Sequence, residues 1–420
     1  MSRCSVIGAL CAALLASLGA PASAEPGRLV IVGGALDRGN AEVWGAFISG
    51  LPDPVTDRIA VIATASGEPV ASFESARSAL AAHGVSPERV FLVRAAVIDD
   101  PATDEDESKW AGGGFDAVEA EALRAAGGIW FTGGDQVRTA RVLFDSAGRA
   151  GPVLETLRHR LAEGAVIGGS SAGAAIQSQV MILRGDGLTA LLEPLGREGT
   201  MAGMEDGRLI LGRGAGFFSH GVVDQHFDRQ ARLGRLARAV TVSPDARFGY
   251  GIDENTALVV DLASTTATVA GPGTVTVLDD LEARRGAGHV FHVEGLKLSL
   301  ATAGDTIDLV TGAVTPATFK AEDLMASPRG DPGSSAGFGP ALPSRSLTDR
   351  LIDGLIDNEA TTLDLWSAEE AGKAVLFRFE ESPATTASSG RDGSDREGHT
   401  VSGLRFSVSA GTVVFREDRR

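Results

Sequence analysis

Cysteine is nearly absent: of 420 residues only Cys4 and Cys11 carry a thiol, and both lie in a stretch that reads as a leader. From residue 25 onward, disulfides, thiolate nucleophiles and cysteine-ligated zinc are therefore excluded. Lysine is almost as scarce, at positions 109, 297, 320 and 373 alone, and no Gly-Lys-Ser/Thr occurs, which removes a P-loop. No basic patch offsets the formal net charge of -17, so nucleic acid is an unsuitable partner. No apolar run reaches the roughly 20 residues of a membrane-spanning helix. At 43% hydrophobic and 22% charged, the chain is too apolar for disorder and long enough for two or three domains.

The first 24 residues have the marks of a secretory signal. Arg3 supplies the positive start, Val6 to Leu18 the short apolar stretch, and Ala22-Ser23-Ala24 the small-x-small cleavage site. The expectation is a secreted protein, extracellular or periplasmic, with no membrane attachment once the signal is removed.

Past the leader, apolar strands alternate with helical patterns. Leu29 to Val32, Ile59 to Ala63, Val90 to Val93, Gly128 to Phe131 and Ala165 to Ile167 read as buried strands. Helices are expected at about 71–82, 138–147 and 152–163. The fold class is α/β, a mostly parallel sheet flanked by helices on both faces. In such sheets the site lies at the carboxyl ends of the strands, where Gly33-Gly34, Thr132-Gly133-Gly134 and Gly168-Gly169 fall. Beyond about 255, Thr266 to Val269, Thr274 to Val277 and Leu296 to Leu300 suggest antiparallel strands. The span 327–346 reads as a Gly/Ser/Pro-rich linker and 382–400 as a second polar stretch. Ala374 to Phe379 and Leu404 to Phe415 would form a small β unit. The expected division is 1–24 signal, 25–320 catalytic α/β domain, and 321–420 C-terminal extension.

Gly169-Ser170-Ser171-Ala172-Gly173 follows a strand and precedes an apolar helical run, the context of a nucleophile elbow. A tight strand-to-helix turn lifts the serine oxygen above the sheet, and the spacing selects Ser171 over Ser170. A plain glycine-rich turn is the structural alternative. For the base, His226 in Asp224-Gln225-His226-Phe227 stands at a strand end between polar neighbours. His220 is the reserve, and a strand-end histidine bonded only to backbone the bland reading. In Gly251-Ile252-Asp253-Glu254-Asn255, either carboxylate could orient the imidazole, or the segment could simply turn. Arg232 and Arg235, three apart on a helix, share a face and suit bidentate capture of a carboxylate; a solvated basic face is the commoner fate.

Together, Ile167 to Ala175, Phe131-Thr132-Gly133-Gly134-Asp135-Gln136, Val223 to Phe227 and Gly251 to Glu254 resemble the cyanophycinases of peptidase family S51, relatives of dipeptidase E with a fold like class I glutamine amidotransferases. The resemblance runs over about 28–320 and suggests the secreted bacterial branch. It implies Ser171 as nucleophile, His226 as general base and Glu254 as orienting acid, with the N–H groups of Gly134 and Ala172 as oxyanion hole. It further implies that Gln136, Asp224, Gln225, Arg232 and Arg235 hold the substrate. That substrate would be cyanophycin, a poly-aspartate whose side-chain carboxyls carry arginine, cut to β-Asp-Arg dipeptides. A homodimer is implied by the same resemblance, and neither metal nor organic cofactor.

The chain departs from the pattern at Gln230, where relatives carry arginine, at Ala35-Leu36, where an acidic residue is usual, and at Ser170 in place of threonine. Gln230 bears on the identity of the substrate. Two other readings stay open: an S51 peptidase for other aspartyl or isoaspartyl peptides, and a catalytically idle peptide-binding relative. The Ser, His, Glu chain order argues against a lipase-type hydrolase.

Overall fold

A computed structural model describes residues 26–197, 206–286, 290–326, 337–338, 347–368 and 372–412. The expected signal and most of the expected linker lie outside the described residues. The chain opens with β1 (Arg28–Val32), α1 (Ala41–Ser49), β2 (Arg58–Ile62), α2 (Pro69–Ala82) and β3 (Val90–Leu92). Next come α3 (Ala117–Leu123), β4 (Ala126–Phe131), α4 (Gln136–Leu143), α5 (Pro152–Ala162), β5 (Val166–Ser170) and the single turn α6 (Ala172–Ala175). A hairpin of β6 (Val180–Arg184) and β7 (Ile210–Arg213) brackets α7 (Thr189–Leu192). The chain continues through β8 (Val222–Asp224), α8 (Leu233–Val242), β9 (Phe248–Ile252), β10 (Ala257–Asp261), β11 (Thr266–Ala270) and β12 (Val275–Asp279). The remaining strands are β13 (Arg284–Arg285), β14 (His292–Ala301), β15 (Thr306–Asp308), β16 (Val314–Thr315), β17 (Glu322–Asp323), β18 (Gly337–Phe338), β19 (Thr362–Ala368), β20 (Lys373–Glu380), β21 (Thr386–Arg391) and β22 (Glu397–Thr412).

Nine strands form the first sheet in the order β16-β15-β11-β10-β1-β5-β4-β2-β3. The five from β1 to β3 run parallel, and β10, β11, β15 and β16 extend it antiparallel. Alternation sorts each strand between two cores. Val30 and Val32 pack with Trp44, Phe47 and Leu80 of α1 and α2. Leu29 and Ile31 pack with Leu123 of α3 and Leu154 and Leu157 of α5. Burying each such side chain contributes about 1.5–3 kcal/mol, and burial on both faces explains why these strands are continuous apolar runs. The expected α/β class with helices on both faces is what the structure contains.

The second sheet runs β18-β19-β20-β22-β14-β12-β9-β8, with β13, β17 and β21 attached. Only its ends, β8 with β9 and β18 with β19, pair parallel. The β-rich C-terminal region is therefore present, and β22 is hydrogen-bonded to β14 from His292↔Ser409 to Leu300↔Val401. One face of this sheet buries Leu296, Leu298, Leu300, Phe379 and Phe406 against Leu236 and Val240 of α8.

Two local expectations differ from the structure. The helix foreseen at 138–147 spans Gln136–Leu143, because Phe144 turns extended and bridges Ala150. The polar stretch at 382–400 contains β21 and the start of β22. Its Ser, Gly and Thr residues are strand residues on a sheet with one open face, where no apolar alternation is required.

Candidate active site

Ser171 sits between β5 and α6 with φ 58° and ψ -114°, a conformation that costs a non-glycine residue about 1–3 kcal/mol. The turn is held by its own N–H, which donates to Val32 O at 3.1 Å. Glycine is obligatory around it: a Cβ on Gly169 would stand 2.4 Å from Gly173 O, and one on Gly173 2.4 Å from Phe131 O. The elbow expected at Gly169 to Gly173 thus has a steric basis.

His226 leaves the end of β8 with φ 46°, its N–H donating to Gly33 O at 2.5 Å. The Ser171 hydroxyl donates to Nε2 at 2.8 Å, and Nδ1–H donates to Glu254 Oε1 at 2.8 Å. The two adjacent carboxylates divide. Glu254 faces the imidazole, whereas Asp253 turns inward and accepts Asp228 N–H at 3.1 Å and Thr274 N–H at 2.9 Å. Burial, together with the charges of Asp228 and Glu254, pushes Asp253 up to about 7. His220 contacts the Phe218 ring instead.

Gly34, which the motifs did not single out, shapes the imidazole's place. A Cβ there would fall 2.3 Å from Cε1 and 2.4 Å from Nε2 of His226. Its signal in the sequence was the glycine pair at the end of β1. Gly134 has φ +133°, and a Cβ on it would meet Ala65 O at 2.1 Å. Among the described residues, no backbone carbonyl accepts from the N–H of Gly134 or of Ala172.

Of the residues expected to hold substrate, Asp224, Gln225, Arg232 and Arg235 are gathered on the β8–α8 side and engaged with one another, whereas Gln136 opens α4 and bonds β6. Arg235 donates to both oxygens of Asp224, at 2.8 and 2.5 Å, and to Gly185 O at 2.5 Å. Both side chains are buried, at 5% and 1% exposure. Arg232 donates to Gln225 O at 2.5 Å, to the Gln225 side chain and to the Gln230 side chain. Gln230, the departing residue, is thus tied to one of the arginines expected to hold substrate. Burial and the Arg235 charge lower the Arg232 pKa to about 9. Gln136 donates to Ile182 O and Leu183 O, at 3.0 and 2.9 Å. Beside Ser170 a cavity of about 310 Å³ is walled by Leu36, Trp44, Trp130, Gly133 and Ser170. Thr132 also lines it, and its buried hydroxyl has no hydrogen-bond partner. Among the described residues, no group of three or more His, Cys, Asp or Glu side chains could hold a metal ion. No helix among them is long and apolar enough to cross a membrane.

The sequence around this site is similar to known proteins. Residues 115–267 match the model of peptidase family S51. Over that segment the chain resembles family S51. That segment holds Ser171, His226 and Glu254, and the resemblance read from the motifs is borne out there. A cyanophycinase of Trichormus variabilis is 34% identical over 207 residues, which cover 47% of this chain and 62% of the relative. A cyanophycinase of Synechococcus elongatus is 33% identical over 194 residues, covering 44% and 54%. The matches thus span less than two thirds of those relatives. Among solved structures, a peptidase from an acI-B1 actinobacterium is 20% identical with a TM-score of 0.46, covering 68% of this chain and 98% of that one. The S51 segment ends before β12, so most of the second sheet lies outside it.

Proposed function

We propose that the chain is a serine peptidase of the cyanophycinase type, hydrolysing cyanophycin to β-Asp-Arg dipeptides through an acyl-enzyme on Ser171. The observation that carries this is the unbroken chain from Ser171 Oγ through His226 to Glu254, with both hydrogen bonds at 2.8 Å, in a segment that matches S51. Ser171 Oγ attacks the scissile carbonyl as its proton passes to His226 Nε2. Glu254 holds the tautomer and stabilises the imidazolium. The N–H groups of Gly134 and Ala172 receive the developing oxyanion. His226 then returns the proton to the departing amine, and water releases the acyl group by the reverse sequence. Residues 1–24 would direct the protein out of the cell as their composition suggests, and homodimer formation belongs to the same proposal.

Substrate selection would fall to the β8–α8 side. Arg232, the less enclosed of the two arginines at 13% exposure against 5%, would read the carboxylate, while Arg235 and Asp224 fix the floor beneath it. One observation favours the second reading, a peptidase for short aspartyl or isoaspartyl peptides: Gln230 occupies Arg232 where relatives would add a further cation. Incubating residues 25–420 with cyanophycin and with short α- and β-aspartyl peptides tests both. Dipeptide release that disappears in Ser171→Ala supports the first, with loss of several orders of magnitude expected because the three residues act as a unit. Cleavage of short peptides alone moves the protein to the second. Undiminished turnover in Ser171→Ala refutes the nucleophile.

A further inference from the structure

A second cavity, lined by none of the candidate catalytic residues, lies over the second sheet. It is a groove of about 1240 Å³ on the open face of that sheet, closed on one side by the turn between β15 and β16. β9 separates it from the catalytic residues: Arg247 at the groove precedes that strand and Glu254 follows it, a span of about 15 Å or more. Its floor is small and flat, with Gly295, Ser299, Gly403 and Ser407 beneath the larger side chains.

Across this floor the register sets one row of charges. Glu380 on β20 stands opposite Arg405 on β22, Arg405 opposite Lys297 on β14, and Lys297 opposite Asp279 on β12. Four strands at about 4.8 Å spacing make a row about 14 Å long, with an acid at each end and two cations between. Asp279 is paired to Arg247 and Lys297 to Glu282. Among the described residues no ion pair engages Arg405 or Glu380. On the same face but outside the groove's lining, Trp366 of β19 stands opposite Leu376 of β20, four residues or about 13 Å along the strand from Glu380, and is 38% exposed.

A polyanion would meet Glu380, Asp279 and Glu282 here, and a polycation would meet Arg405, Lys297 and Arg378. A chain carrying one guanidinium and one carboxylate per repeat satisfies both sets, and an exposed tryptophan is the preferred platform for a guanidinium. We infer that this groove is a second binding site, separate from the catalytic centre, that docks a zwitterionic arginine-bearing polymer on the Trp366–Arg405–Glu380 face. The choice of polymer rests on the reading under Proposed function. In that arrangement the guanidinium groups lie on Trp366 and Glu380, and the carboxylates on Arg405 and Lys297. The sheet would hold an insoluble substrate while the active site works on its end.

The test is sedimentation of the full chain with cyanophycin granules, in the Ser171→Ala background so that the granules persist. Trp366→Ala and Arg405→Ala, both at exposed positions, should each weaken binding by roughly three- to tenfold, and binding should fall with salt. In the Ser171-intact chain the same substitutions should leave cleavage of a short soluble β-aspartyl substrate unchanged. Melting temperatures equal to the parent's establish that the variants fold. Binding indifferent to both substitutions overturns the inference. So does equal retention on poly-aspartate, poly-arginine or an insoluble neutral polysaccharide, which would mark a single-charge or sugar site. Serine-dependent cleavage with unaltered granule binding defeats the groove alone. Absence of any cleavage with binding that still requires Trp366 and Arg405 defeats the catalytic reading and keeps the groove.

Discussion

Replacing Gly34 by alanine should disable the base while leaving the fold. The added methyl would begin 2.3 Å from Cε1 of His226, and ordinary contact starts at 3.4 Å, so the ring must retreat by about 1.1 Å. The Ser171–Nε2 distance of 2.8 Å would then stretch to as much as about 3.9 Å, beyond the roughly 3.2 Å reach of a hydrogen bond. A displacement of this size typically costs about a hundredfold in rate. The backbone adds its own penalty, because Gly34 has φ +109°, a region that costs an alanine about 1–3 kcal/mol. The expected outcome is kcat lower by about two orders of magnitude on a short β-aspartyl substrate, with KM nearly constant and the melting temperature down by a few degrees. A variant with kcat within about twofold of the parent would show that the imidazole is not held where the geometry puts it.

The buried pair Asp224–Arg235 predicts a stability effect: Asp224→Asn leaves a guanidinium of 5% exposure without its counter-charge, at a cost of about 3–5 kcal/mol. Chemical denaturation should read this directly, and a loss below about 1 kcal/mol would contradict it. Asp253 predicts a pH effect. Its pKa is raised from 3.8 to about 7, so the folded chain binds more protons than the unfolded one between those values. This group's contribution is full below the lower value and is lost as pH rises toward 7, by up to roughly 4 kcal/mol. The Asp253→Asn chain should lack that component of the stability slope between pH 4 and 7, and identical slopes in parent and variant would refute it.

The fold's first half was legible because strands buried on both faces have no polar positions to confuse the pattern, as in Leu29 to Val32 and Val166 to Ile167. Ser171 was legible because an elbow demands small residues at fixed offsets, and their close contacts with Phe131 and with one another bear this out. The choice between Asp253 and Glu254 was not legible from the residues alone. Neighbouring residues in a turn point in different directions, and only the positions of Thr274 and Asp228 decide which carboxylate is drawn inward. Arg232 is not on the helix, as its spacing suggested, but is the residue that caps α8, with Arg235 in the first turn and both directed at Asp224. Nor could the spacing show that Asp224, eleven residues upstream of Arg235, would take up that guanidinium. The polar strand β21 and the first half of β22 escaped notice because an open sheet face imposes no apolar rhythm.

The pairing of β14 with β22 makes the C-terminal extension and the residues before 320 interdependent. A chain stopped at residue 320 would strip β14 of its neighbour, leaving a ten-residue edge with Leu296, Leu298 and Leu300 bared along one side. Such an edge is a template for pairing with another molecule. The same sheet carries β8 and β9, from whose ends His226 and Glu254 depart. Trimming the tail would therefore be felt at the catalytic end, and the C-terminal hundred residues cannot be exchanged like a module. Through β14, β12 and β9 they share one hydrogen-bonded sheet with the strand ends from which the base and its acid depart.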